Sequence, residues 1–260
     1  IREEAPDLRI LLTMDEGHRD PVFALLDAYW RPPCAACHTQ DRPTAGYVPC
    51  RACEARGCSV CAGGKYRGRV ECLACETRGW AVQRWTLAAR QSERNSSTAQ
   101  NAQMVGDLLV GVGMVTPGGG PNFSAVTEWV IDNMLSKPVP LDATNAQTSA
   151  SEAALEARAA RTEADALALH CKGLPAWEPA NRFKHLSRRD TYQRGNGLLA
   201  SGAWLVDTDR AVPLVRCLDG WMTDSPHNEL SHGAACAAYS TCKMFEPDRW
   251  FAPAVHRFRR

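Results

Sequence analysis

Lysine is nearly missing from this chain, with five residues against 25 arginines, a bias that points to a GC-rich coding sequence rather than to chemistry. Long apolar runs are missing as well. The longest are too short or too interrupted by glycine to cross a bilayer, so no membrane segment is expected. No Gly-x-Ser-x-Gly turn and no His-Glu-x-x-His helix occurs, which removes the two commonest local signatures of hydrolases. The glycines of Gly111-Val-Gly113 and of residues 116–121 are followed by no lysine and lack dinucleotide spacing, so they predict a loop rather than a phosphate cradle. No catalytic residue is predicted. The chain begins at Ile1 with no Met, basic n-region or apolar h-region, as expected of a processed or partial sequence.

What is present is a core-forming composition around one unusual segment. Hydrophobic residues make up 45% of the 260 residues and charged residues 23%, enough for a small module plus one or two ordinary domains. The formal net charge of +1 hides a local bias. Between Arg31 and Arg90 ten Lys/Arg stand against four Asp/Glu.

Four Cys-x-x-Cys knuckles fall within 42 residues: Cys34/Cys37, Cys50/Cys53, Cys58/Cys61 and Cys72/Cys75. The turn between two such cysteines points both sulfurs at one cation, and two knuckles complete a tetrahedral four-sulfur shell. Eight cysteines therefore predict two zinc ions. With four thiolates per ion there is no open position for water, so the zinc is expected to be structural. Twelve, four and ten residues separate successive knuckles, which leaves both sequential and nested pairing open. Tandem knuckles in a chain of this size predict metal ligation in a reducing cytoplasm rather than a disulfide scaffold. Cys34-Ala-Ala-Cys-His38 also satisfies the c-type haem pattern, but haem leaves three knuckles unexplained; iron–sulfur clusters are a further alternative.

The segment resembles the cysteine-rich domain of DnaJ-type chaperones, in which each knuckle reads Cys-x-x-Cys-x-Gly-x-Gly. Gly57 after Cys53, Gly63 after Cys61 and Gly79 after Cys75 occupy such positions. The resemblance covers residues 34–75 and implies nested pairing. It does not extend to a J-domain: the nearest string to His-Pro-Asp is His18-Arg19-Asp20. The knuckles are also similar to those of phage antitermination proteins of the Q type.

The remaining chain predicts an α+β, helix-rich protein carrying this module as an insert of short hairpins. The expected division is an N-terminal helical segment over 1–33, the module over 34–80, a polar linker over 91–103, and a C-terminal domain of unknown fold over 104–260. Asp20 and Pro21 predict a helix start, with Val22, Leu25, Leu26 and Tyr29 at helical spacing up to Trp30. Val126, Trp129, Val130 and Met134 predict a second helix. An Ala-rich helix opening at Ser149 and Glu152 is expected to stop at Gly173. Residues 204–206 and 212–217 predict a hairpin around Asp207-Thr208-Asp209.

His227, His232, Cys236 and Cys242 form a conceivable third metal group, against which the alanines around Cys236 favour plain packing. Arg51, Arg56, Arg67, Arg69 and Arg78, in and between the knuckles, are the candidate nucleic-acid contacts, since arginine forks onto phosphates. The basic run from Arg182 to Arg194, interleaved with Phe183 and Tyr192, adds to that candidacy. The function expected is that of a bacterial or phage zinc protein whose module binds nucleic acid or a nucleic-acid enzyme. The alternative is a DnaJ-like chaperone or thiol protein gripping unfolded polypeptide through Val60, Tyr66, Val70 and Leu73. Oligomeric state is not encoded in any pattern found.

Overall fold

The computed structural model describes residues 7–16, 21–37, 46–52, 58–59, 62, 69–72, 75, 78–132, 162–180, 188–220 and 229–246. In chain order the strands are β1 (Arg9–Glu16), β2 (Val22–Trp30), β3 (Tyr47–Pro49), β4 (Arg69–Glu71), β5 (Gln83–Gln91), β6 (Glu128–Ile131), β7 (Trp177–Pro179) and β8 (Trp204–Val206). The helices are α1 (Thr98–Gly111), α2 (Glu163–His170), α3 (Arg188–Ala200), α4 (Val212–Gly220) and α5 (Glu229–Met244). The chain forms two compact units: Ile1–Leu8 with Tyr29–Gln83, and Arg9–Ala28 with Arg84–Arg260. No helix among the described residues is long and apolar enough to cross a membrane.

A mixed six-stranded sheet in the order β7-β6-β1-β2-β5-β8 carries the larger unit. β1, β6 and β7 are parallel, in register from Leu11↔Glu128 to Met14↔Ile131 and from Trp129↔Trp177 to Ile131↔Pro179. β8 is parallel to β5. β2 runs against its neighbours. Its connection from β1, residues 17–21, is too short for a parallel crossover. On its other side, Ser92 N–H donates to Val22 O at 2.9 Å, placing the end of β5 beside the start of β2.

One face of the sheet is apolar. Leu12, Met14, Ala24, Leu26, Trp129 and Ile131 pack with Val105, Leu108 and Leu109 of α1 and with Ala164 and Leu167 of α2. Each of these helices starts with a capping box. Ser97 and Gln100 exchange hydrogen bonds at the start of α1, and Thr162 and Asp165 do so at α2. Asp165 Oδ1 also accepts from Trp177 Nε1 at 3.0 Å, tying the start of β7 to α2. Gly173, at φ +108°, turns the chain out of α2, the stop that the sequence predicts. The opposite face mixes buried apolar residues, Leu11, Phe23, Leu25 and Val130, with a buried polar set, Thr13, Asp15, Asp27, Arg84, Thr86 and Asp132, which α5 meets.

The mixed sheet and five helices agree with the α+β expectation, but several local readings change. The helix expected from Asp20 to Trp30 is strand β2, whose first eight residues are all buried. A strand covered on both faces shows no polar alternation, so apolar residues fall at helical spacing by default. The helix expected around Val126 to Met134 is a 3-10 turn, Phe123–Ala125, followed by β6; Met134 lies outside the described residues. The expected linker over 91–103 holds the end of β5 and the start of α1. In place of a hairpin, β8 pairs parallel with β5, and the 212–217 segment lies in α4. The helix that stops at Gly173 opens at the extended Thr162 cap and not at Ser149; residues 149–161 lie outside the described residues.

Candidate metal centres

In the smaller unit Cys34, Cys37, Cys72 and Cys75 come together, each buried, with all four sulfurs within 4.8 Å of one another. Cys34 Sγ is 3.9 Å from Cys72 Sγ, and Cys37 Sγ is 3.5 Å from Cys75 Sγ. A tetrahedron with zinc–sulfur bonds of about 2.3 Å has sulfur–sulfur edges of about 3.8 Å, so the set fits one such ion. The local chain explains the geometry. Gly46 N–H donates to Cys37 Sγ and Gly79 N–H to Cys75 Sγ, both at 3.3 Å, from glycines at φ 89° and 80°. Cys72 N–H to Gly46 O (2.8 Å) and Cys34 N–H to Gly79 O (3.0 Å) cross-link the two knuckles.

The first knuckle thus pairs with the fourth, the nested alternative. β3 and β4 form an antiparallel ladder, Tyr47↔Glu71 to Pro49↔Arg69, with Cys72 following one end and Cys50 the other. Cys50 Sγ and Cys58 Sγ stand 4.0 Å apart; Cys53 and Cys61, the other two cysteines of the expected inner set, lie outside the described residues. Without a cation two of the four thiols resist ionisation: burial, then the Cys75 thiol, hold Cys37 well above the usual thiol range against the pull of the Gly46 amide, and burial raises Cys75 against the pull of the Gly79 amide. A bound cation would reverse that preference. The haem pattern gains nothing from this arrangement, since Cys34 and Cys37 are engaged with Cys72 and Cys75; His38 lies outside the described residues.

The sequence announces no acidic site, yet the larger unit holds one. The β1/β6 ladder ends at Met14↔Ile131, and Asp132 N–H donates to Met14 O at 2.8 Å, so Asp15 and Asp132 follow at neighbouring positions. Parallel strands lie about 4.8 Å apart, which sets their backbones side by side at the C-terminal ends of the strands. Both residues are buried, at 5% and 8% exposure. His232 Nδ1 is 2.6 Å from Asp15 Oδ2, and Tyr239 donates to Asp132 Oδ1 at 3.0 Å. Burial, followed by the charges of Asp15 and Asp132, pushes the Tyr239 phenol far above its usual range, so it stays a donor. Only the parallel pairing of two strands brings these acids together, and no local motif signals it.

The third metal group does not assemble among the described residues. Cys236 Sγ faces Thr13 O at 3.7 Å and Phe23 O at 3.5 Å, and Cys242 Sγ lies 3.2 Å from Thr191 Oγ1. Both behave as small core residues; His227 lies outside the described residues. Of the candidate arginines, Arg51 is exposed, Arg69 is half-buried on β4, and Arg78 stacks on Trp80 at 5.2 Å. Arg56 and Arg67 lie outside the described residues, as do 182–187 of the basic run. Arg31, not predicted, shares the Trp80 indole at 4.6 Å, so two guanidinium groups converge on one ring.

Compared with known proteins, the chain matches no family model, no curated protein and no solved structure.

Proposed function

We propose that this protein cleaves phosphodiester bonds in nucleic acid, using a divalent cation held by Asp15 and Asp132, and that its cysteine module is a two-zinc structural unit that binds nucleic acid. One observation carries the reading: two buried carboxylates abreast at the C-terminal ends of parallel strands, where open α/β sheets place their ligands. Packing two carboxylates together is electrostatically costly, and a shared cation offsets that cost. The donors are hard oxygens. Magnesium or manganese suits them, since magnesium is commonly held by one or two carboxylates plus the substrate's phosphates rather than by a protein cage. Such a cation supplies charge stabilisation to a reacting phosphoryl group.

Nucleic acid is the phosphodiester substrate favoured by the arginine-rich module. Arg31 and Arg78 on Trp80, with exposed Arg51, offer guanidinium forks to phosphates. For the module, zinc is favoured by the all-sulfur donor set, and the inner ion would use Cys50, Cys53, Cys58 and Cys61. The nested pairing is also what the DnaJ resemblance implies for the module itself.

The test uses the full chain with labelled single-stranded, duplex and branched DNA and RNA in Mg²⁺ or Mn²⁺. Asp15→Asn and Asp132→Asn should each abolish cleavage while leaving zinc content and melting temperature near wild type. Arg31→Ala with Arg78→Ala should weaken binding and flatten its salt dependence, by about one unit of log–log slope for each phosphate no longer engaged. Cleavage that survives both aspartate variants overturns the reading, and salt-insensitive binding to unfolded polypeptide would favour a chaperone instead.

A further inference from the structure

We propose that α5 sets the geometry of the carboxylate pair through two positioning residues, His232 acting on Asp15 and Tyr239 acting on Asp132. The inference rests on the reading of these acids as the cation site, and adds to it the device that fixes their oxygens.

His232 and Tyr239 are seven residues apart, so they lie two helical turns apart on one face of α5, about 10 Å along its axis. Each engages a different strand. His232 reaches Asp15 at the end of β1, and Tyr239 reaches Asp132 beyond the end of β6. Each also takes one oxygen, Oδ2 of Asp15 and Oδ1 of Asp132. A carboxylate turns easily about its terminal torsion, whose wells are broad; a hydrogen bond to one oxygen removes that freedom and leaves the other oxygen in a defined place. Partners of this kind are worth about 10- to 100-fold in metal affinity where they have been removed.

The helix is suited to the task because it is fastened independently of these two bonds. Cys236, between His232 and Tyr239, sits against Thr13 O and Phe23 O. Ser240 donates to Asp27 Oδ2, and Thr241 Oγ1 accepts from Arg84 Nη1 at 3.1 Å. At Gly233 the helix backbone comes so close to Cys217 that a Cβ there would overlap its side chain. Lys243, the cation in the last turn of α5, turns instead to Glu178 and Glu246, both at 3.0 Å. A platform held by so many other contacts should lose little stability when one hydroxyl is removed. A positioning role and a merely structural one therefore give different results.

The experiment titrates Mn²⁺ alone into the full, zinc-loaded chain, read by calorimetry and by the Mn²⁺ paramagnetic resonance signal. Tyr239→Phe and His232→Ala should each weaken Mn²⁺ binding about tenfold or more with zinc content unchanged; Tyr239→Phe should melt near wild type, whereas His232→Ala, which takes the imidazole from a buried carboxylate, should melt lower. His232→Asn, which keeps an N–H donor, should recover part of the loss. Mn²⁺ affinity unchanged in both Tyr239→Phe and His232→Ala overturns the inference; if Asp15→Asn still abolishes binding, the cation site itself stands. A wild-type chain that binds no Mn²⁺ overturns the site, and the positioning role with it.

Discussion

Arg84 grips Asp27 at two points, Nε to Oδ1 at 3.1 Å and Nη2 to Oδ2 at 2.8 Å, with both side chains fully buried. The rest of the surroundings complete the pair. Thr86 and Ser240 donate to the carboxylate, Arg84 Nη1 donates to Thr241 and to Ala237 O, and the Trp204 ring lies 3.6 Å from the guanidinium carbon. Adjacent strands β2 and β5, edge strand β8 and helix α5 thus meet at one ion pair. Burial lowers the Arg84 pKa and Asp27 opposes that shift, so neither charge is well placed without the other.

Removing one partner should be worse than removing both. Arg84→Met or Asp27→Asn is expected to cost about 3–5 kcal/mol, because an uncompensated polar group stays buried. Arg84→Lys should not rescue, since an ammonium lacks the planar fork. Asp27→Leu combined with Arg84→Met should recover much of the loss in urea unfolding. Single variants as benign as the double one would contradict this expectation.

Zinc content should report the nested pairing. Elemental analysis of the wild-type chain should give two zinc ions, and Cys75→Ser should lose one while the inner ion remains. Cys34→Ser should behave as Cys75→Ser does, although 41 positions separate them. If the Cys34 variant instead compromised the same ion as Cys50→Ser and spared that of Cys75, the pairing would be sequential.

Gly233→Ala tests the closeness of α5 to its neighbours. The added Cβ would overlap Cys217 and come within 3.0 Å of Phe23 Cε2. Overpacking of this kind costs about 1–3 kcal/mol, against a gain of about 1 kcal/mol in helix propensity. Net destabilisation is the expected result of denaturant titration, and a more stable variant would show that the helices separate freely.

Alkaline pH should release one fastening of the same helix. Burial alone would lower the Lys243 pKa, but Glu128, Glu246 and Glu178 outweigh it and hold the pKa above its usual 10.5. A folded-state pKa raised in this way stabilises the fold fully below the unfolded value and ceases to do so as pH rises through the folded one. Melting temperature should therefore fall more steeply above pH 10.5 in the wild type than in Lys243→Met. Parallel curves would show that Lys243 does not fasten the helix.

The cysteine centre was legible because its signal is local, a spacing repeated four times. Even there the partnership of Cys34 with Cys72 rests on long-range contacts, the β3/β4 ladder beside Cys72 and the Cys34 N–H bond to Gly79 O, which short, mixed segments such as Tyr47–Pro49 do not announce. The capping box of Ser97 and Gln100 stood in the sequence, within a stretch whose polarity suggested a linker. β2 was illegible in type because both its faces are covered, and Asp27 within it carried no sign of its partner 57 positions on. Asp15 and Asp132 were unreadable for the same reason on a larger scale. Their proximity belongs to the sheet's register, and nothing near either residue encodes it.

The position of the cysteine module in the chain has a kinetic consequence. β2 ends at Trp30 and β5, its neighbour in the sheet, begins at Gln83. Pairing them from an unfolded chain closes a loop of about 50 residues, and ligation of the first knuckle to the fourth shortens the free part to about a dozen, saving about 1 kcal/mol of closure entropy. We therefore expect refolding from urea to be several-fold slower when a chelator is present, with no lag if zinc is bound first; equal rates would refute this. A cell short of zinc would then assemble the central strands of the sheet more slowly, leaving the edges of β2 and β5 exposed for longer to other unfinished chains.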